Sequence, residues 1–286
     1  MKKLIKITSI FLALLIALSC AAFAADETGR HHYLLLGDSI AEGYGVKNSY
    51  ESCYGKIIAD TIGYEYTNYG RAASTSDDLV YNVQNIPYVR NSIAQADIIS
   101  ISIGGNDYLC DSKVVGLVLS ALFNVNMGRF NAITENCYNN ICLIISTIRE
   151  LNPDAVIICQ TVYSSWFGIL GIPYGRATGA VNDCIKRYDS EHPGEIEIVD
   201  IAGAMNGKKE LLADDTIHPN AAGNVEIAKT LLKKLNDLGL TDKTEIVVNT
   251  PGIDYNYYVL YFDELRNIPI GKLVTFIIKL CTGNLF

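Results

Sequence analysis

The chain is poor in positive charge: 23 lysines and arginines stand against 31 aspartates and glutamates, a formal net charge of −8 at neutral pH. Such an average field repels a polyanion, which argues against nucleic acid as a partner. No C-x-x-C pair is present, so the commonest zinc spacing is missing, and no cluster of carboxylates with histidine calls for a metal. Internal repeats and low-complexity tracts are missing too, which argues against a solenoid and against a disordered scaffold. The apolar run near the N-terminus is short for a bilayer and ends in small residues.

What is present begins with "MKKLIKITSIFLALLIALSCAAFA", residues 1–24: three lysines, an apolar stretch, then Ala22, Phe23 and Ala24 as an A-x-A cleavage signal. The expectation is a cleaved signal peptide and a secreted or cell-surface protein. A membrane anchor and lipid attachment at Cys20 are the alternatives; the second fits less well, because Ala17 stands where a lipoprotein signal places leucine. Cleavage removes Lys2, Lys3 and Lys6 and no acid, moving the formal charge from −8 to −11. Seven cysteines then remain, Cys53, Cys110, Cys137, Cys142, Cys159, Cys184 and Cys281. An odd number cannot all pair, and Cys137, Cys142 and Cys159 sit in helical or apolar runs that favour buried thiols, so no disulfide is assigned.

With 49% of its 286 residues hydrophobic, the chain can build a substantial core in one large domain or two small ones. Five short apolar runs, "HYLLLG", "YEYTNYG", "ADIISISIGG", "DAVIICQTV" and "EIEIVDI", read as strands covered on both faces. Between and after them, helical periodicity predicts helices over 53–62, 78–95, 130–150, 175–190 and 220–236. This βαβ series predicts an α/β protein with a parallel five-stranded sheet between helical layers. The last unit ends near Leu238. Beyond it, residues 239–286 are expected to form a C-terminal extension whose amphipathic helix, 268–286, sets Lys272, Thr275, Lys279 and Thr282 opposite a broad apolar face. That face would pack on its own domain or touch a membrane surface or a partner. The oligomeric state is left open.

Ligands of open parallel sheets lie beyond the carboxyl ends of the strands. Four polar places follow strands here: Ser39, Gly70, Asn106, and the stretch Asp215–His218. Acyl transfer to water needs a nucleophile, a base, a group that orients the base, and donors aimed at the oxyanion. Ser39 can serve as nucleophile, with Ser74 and Ser102 as other candidates. His218 carries an imidazole that can take the serine proton, and Asp215, or its rival Asp214, can orient it. Pro219 restricts His218 to extended backbone, and Asn220 can cap the following helix. Backbone donors at Ser39 and Gly70 and the side-chain amide of Asn106 can converge on one point.

These residues lie in "GDSI", "NYG", "GGND" and "DDTIHPNAAG", blocks whose identity, order and spacing resemble those of the SGNH, or GDSL-type, hydrolase family from about Tyr33 to Leu238. The resemblance implies a flavodoxin-like three-layer α/β/α sandwich over about 30–238. It also implies an esterase or lipase mechanism with Ser39 as nucleophile, His218 as base and Asp215 as its orienter, and with Gly70 and Asn106 completing the oxyanion hole. Gly37, Ser39 and Ala41 occupy the places of G-x-S-x-G, consistent with a nucleophile outside the elbow of α/β-hydrolases. One position departs: Ala73 stands in "GRAAST" where the family often has another glycine, which bears on that loop's conformation. No cofactor is required.

After Asp107, the apolar run "VVGLVLSALF" suggests a helical flap lining an acyl pocket, or an ordinary core helix. The stretch "YSSWFGILGIPYG" should bring Trp166, Phe167 and Tyr174 to the same rim, where aromatic rings suit an acyl group or a sugar. The expected substrate is a carboxylic ester of small to medium acyl length. The alternative is an O-acetyl carbohydrate ester, and a non-catalytic secreted binding module is the rival from another class. The intact residue set favours an enzyme.

Overall fold

The computed structural model describes residues 31–165 and 171–248. The expected signal peptide, Trp166, Phe167 and the expected helix at 268–286 lie outside the described residues. Five parallel strands, β1 (His32–Gly37), β2 (Glu65–Gly70), β3 (Ile98–Ser102), β4 (Val156–Gln160) and β5 (Glu197–Val199), pair in the order β2-β1-β3-β4-β5. Their runs are continuously apolar because both faces are covered. Leu34, Leu36, Ile99 and Ile101 enter one core, while Tyr33, Leu35 and Ile98 enter the other.

Eleven α-helices occur among the described residues: α1 (Ser39–Glu42), α2 (Ser49–Ser52), α3 (Tyr54–Ile62), α4 (Ser76–Asn85), α5 (Pro87–Gln95), α6 (Gly105–Leu109), α7 (Val114–Phe123), α8 (Gly128–Leu151), α9 (Gly171–Glu191), α10 (Ile201–Met205) and α11 (Ala221–Asp237). Helices α4, α5, α8 and α9 bury their apolar faces on one side of the sheet, and α3, α10 and α11 on the other. The result is the three-layer α/β/α sandwich.

Several helix boundaries differ from the periodicity. The single helix expected over 78–95 is two helices, because Pro87 has no amide to donate and forces Ile86 into extended backbone, φ −92° and ψ 112°. The first of the two starts earlier than expected, at a capping box in which Thr75 accepts from the Asp78 amide and Asp78 accepts from the Thr75 amide. Helix α9 also starts early, since Pro173 falls in its first turn, where no intrahelical donor is needed.

The chain leaves β1 toward β2 on one side and returns to β3 on the other. The carboxyl ends of β1 and β3 therefore frame the crevice of a topological switch point. There Gly37 pairs with Gly70 on one side and Ser102 on the other. Its φ is +150°, and a Cβ at this place would lie 2.0 Å from the Ser102 carbonyl oxygen. Only glycine lets the chain turn out of β1 so close to β3 and hand the Asp38 amide to that same oxygen, at 3.0 Å. No described helix is long and apolar enough to cross a membrane, and Cys53, Cys110, Cys137, Cys142, Cys159 and Cys184 are free thiols.

Gly37→Ala should destabilise the fold by about 3 kcal/mol, the upper range for forcing atoms into filled space. Gly116→Ala, in the interior of α7 with nothing within 4 Å of the added carbon, should stabilise by about 0.5 kcal/mol. Urea denaturation of the two variants measures both; equal effects would refute the role given to Gly37.

Candidate active site

Ser39 opens α1. Asp38 caps that helix, its Oδ1 accepting from the Ile40 amide at 2.9 Å, and the Ser39 amide lies at the open end of the helix without an intrahelical acceptor. His218 arrives from the far end of the chain on a loop held at several points. Leu212 bridges Pro219, and Ala213 donates to the His218 carbonyl at 2.8 Å. Asn220 caps α11 and spans the loop by donating to Glu210 and Leu212 carbonyls at 2.8 and 3.0 Å. The Tyr163 hydroxyl donates to the Ile217 carbonyl at 2.7 Å, and the Tyr44 ring lies against the imidazole, centroids 4.6 Å apart.

So held, His218 places Nε2 2.8 Å from Ser39 Oγ and Nδ1 2.5 Å from Asp215 Oδ2. The other carboxylate oxygen, Oδ1, accepts from the Ile217 and His218 amides, both at 2.9 Å. The Asp215 side chain is wholly buried. Burial by itself pushes its pKa up, but the hydrogen bond and charge of His218, with the two amides, outweigh it and hold the carboxyl below its ordinary value. It is Asp215, rather than Asp214, that meets the imidazole, and Ser39, rather than Ser74 or Ser102, that faces its other nitrogen.

Gly70 is placed differently from the sequence expectation. Its amide is not directed to the site but donates to Asn68 Oδ1 at 2.7 Å. A Cβ there would lie 2.3 Å from the Glu42 nitrogen, so the glycine is needed to let α1 cross the end of β2. The next amides are engaged too: Arg71 with the Gly37 carbonyl at 3.1 Å, Ala72 with Glu42 Oε2 at 2.6 Å, and Ser74 with the Arg71 carbonyl at 3.2 Å. Among these described residues the amide left over is that of Ala73, whose φ of +63° is left-handed. Asn106, in the first turn of α6, donates one amide hydrogen to the Ser74 carbonyl at 2.9 Å, tying that loop to the end of β3. Its second hydrogen remains for a ligand.

A family model of GDSL-like lipases and acylhydrolases matches residues 35–225. The chain belongs to that family and is an ester hydrolase. No curated protein matches it. Among solved structures it is similar to a lipase from a goat rumen metagenome, with 19% identity, a TM-score of 0.58, and coverage of 71% of this chain and 97% of the other. It is also similar to an acetyl xylan esterase of Geobacillus stearothermophilus, at 20% identity, a TM-score of 0.53, and coverage of 76% and 96%. A phospholipase A1 of Streptomyces albidoflavus aligns at 16% identity and a TM-score of 0.53, over 73% and 99%. At such identities the likeness is one of fold.

In this GDSL-like hydrolase two spaces adjoin α6, the helix that carries Asn106. An apolar cavity of about 30 Å³ lies under α7, lined by Tyr108, Leu117, Phe130, Tyr174 and Ala177 among others. On the other side, the segments that follow Ala73 and Asn106 open into a polar groove of about 390 Å³, with Thr75, Asp77, Asp111, Arg129 and Asn136 in its walls. No group of three or more His, Cys, Asp or Glu that could hold a metal occurs among the described residues.

The residues that sequence reasoning passed over are those acting by position. Tyr44 and Tyr163 carry no local motif; Asn68 and Glu42 matter only because β2 and α1 cross. Asp38 belongs to the "GDSI" block, yet its state depends on burial, which pushes its pKa from 3.8 up to about 7. The Ile40 amide and the His218 charge oppose the rise, and Asp107 adds to it. With the folded value raised, the stability that this carboxyl contributes is complete below about pH 4 and is lost as the pH climbs toward 7, by about 4 kcal/mol at most. Asp38→Asn keeps the cap oxygen and removes that loss. Urea unfolding should show the variant's advantage over the unaltered chain growing from pH 4 to pH 8; a constant difference would contradict the assignment.

Proposed function

We propose that this hydrolase cleaves carboxylic esters of small to medium acyl length through Ser39, His218 and Asp215. The observation that carries the proposal is the hydrogen-bonded series in which Ser39 Oγ, His218 Nε2, His218 Nδ1 and Asp215 Oδ2 follow one another at 2.8 and 2.5 Å. Ser39 Oγ attacks the ester carbonyl as its proton passes to His218 Nε2, while Asp215 holds the ring by Nδ1–H and stabilises the imidazolium. The negative charge on the former carbonyl oxygen meets the Ser39 amide, the Ala73 amide and the free hydrogen of the Asn106 side chain. Ala73 thus takes the place given to Gly70 in the sequence. Collapse of the intermediate expels the alcohol, which takes the proton from His218, and water repeats the steps to release the acid.

The apolar lining of the cavity under α7 supports an acyl-bearing substrate. The polar groove supports a second substrate class, O-acetylated carbohydrates, since acids, an arginine, an asparagine and a threonine offer paired donors and acceptors to sugar hydroxyls. The N-terminal leader supports action outside the cell.

Ser39→Ala should abolish hydrolysis of a chromogenic acetyl ester while circular dichroism stays unchanged, and a fluorophosphonate should label the peptide holding Ser39. Asn106→Ala should lower kcat about a hundredfold to a thousandfold with little effect on folding. Wild-type turnover in the Ser39 variant, or a label on another serine, would overturn the proposal. Acetate release from acetylated xylan, compared with cleavage of acyl esters of rising chain length, separates the two substrate classes.

A further inference from the structure

Helix α7 has ten residues and no charged one. Its inner face, with Val114, Leu117 and Ala121, is buried over the apolar cavity. The outer face is apolar as well. Val115, Leu119 and Phe123 recur at helical spacing and are 41, 51 and 67% exposed. Asn124, which ends the helix, accepts from Arg176 at 3.2 Å, and this joins the N-terminal part of α9 to the end of α7. Ile172, one turn before Arg176 on the same side of α9 and 49% exposed, extends the patch.

Large apolar side chains gathered on one exposed surface mark a contact site, and the charges around this one indicate the partner. Lys113 immediately precedes α7 and Arg176 flanks its end, both exposed. Asp111, two residues before Lys113, is neutralised by Arg129 at 2.8 Å. On a chain of net charge −8, an apolar stripe with a cation at each end is complementary to a lipid surface bearing anionic headgroups: the stripe enters the acyl boundary while the cations meet phosphates. The short link Cys110–Lys113 joins α7 directly to α6, which carries Asn106. The stripe therefore lies beside the site that would act on an ester dissolved in that surface.

We propose that the outer face of α7, extended by Ile172, docks on an anionic lipid surface and brings Ser39 to esters held in it. The proposal rests on the ester-hydrolase reading of Ser39. The test uses the full chain and sedimentation with vesicles of phosphatidylcholine, with and without phosphatidylglycerol. The unaltered chain should bind the mixed vesicles. The double variant Leu119→Glu, Phe123→Glu should bind at least about tenfold more weakly, and Lys113→Glu with Arg176→Glu should lose the preference for phosphatidylglycerol. All should keep the wild-type rate on a water-soluble acetyl ester; the milder Leu119→Ser serves as a check on folding. Undiminished vesicle binding by the double variant overturns the proposal. So does a dimer in the unaltered chain that the double variant converts to monomer without change in vesicle binding, which would make the stripe a contact between two copies. Absence of soluble-ester hydrolysis in the unaltered chain would instead remove the esterase reading, while sedimentation still decides the docking.

Discussion

Everything at the site depends on how closely the ends of β1, β2 and β3 approach one another. A side chain at Gly37 would collide with Ser102, and one at Gly70 with the backbone of α1. With neither present, the first helix after β1 can begin at once, and Ser39 stands at the crevice between strands that diverge in sequence but adjoin in space. The interaction with His218 then spans 179 positions of chain. Such a long-range contact holds its geometry because each partner is fixed locally, Ser39 by a capped helix start and His218 by a loop tied to α11, Tyr163 and the Leu212–Pro219 bridge.

The electrostatics of the site follow from the same crowding. Asp215 and Asp38 are both buried carboxyls near one imidazole, yet their acidities move in opposite directions. Asp215 has a ring nitrogen at 2.5 Å and two amides to stabilise its charge. Asp38 has one amide on its carboxylate and Asp107 close by, so desolvation prevails. Two acids of one type thus differ because of the number and direction of donors around them.

How much of this was legible beforehand depended on whether the deciding force was local. The strands could be read because burial on both faces leaves unbroken apolar runs, and the helices because one-sided burial leaves a 3.6-residue period. The break at Pro87 was visible in residue type but was masked by periodicity that continues across it. Ser39, Asp215, His218 and Asn106 stood out because ligands of open parallel sheets bind beyond the carboxyl ends of the strands and because these residues fall in blocks that resemble those of the family. Gly70 stood out for the wrong reason. Its lack of a side chain is required by a neighbouring helix, and the capture of its amide by Asn68 depends on a side-chain orientation that no spacing discloses. Ala73 was legible only as a departure, since alanine gives no sign of adopting a left-handed conformation.

That alanine has a consequence for the mobility of the loop. Glycine at such a place would let the peptide plane rotate among many orientations, whereas a methyl group confines it to a narrow basin that costs about 1 kcal/mol to occupy. The surrounding contacts from Glu42, Gly37 and Asn106 offset that strain and leave the segment few ways to relax. The loop is thereby stiffened before any ligand arrives, so a catalytic step there would require little further reordering.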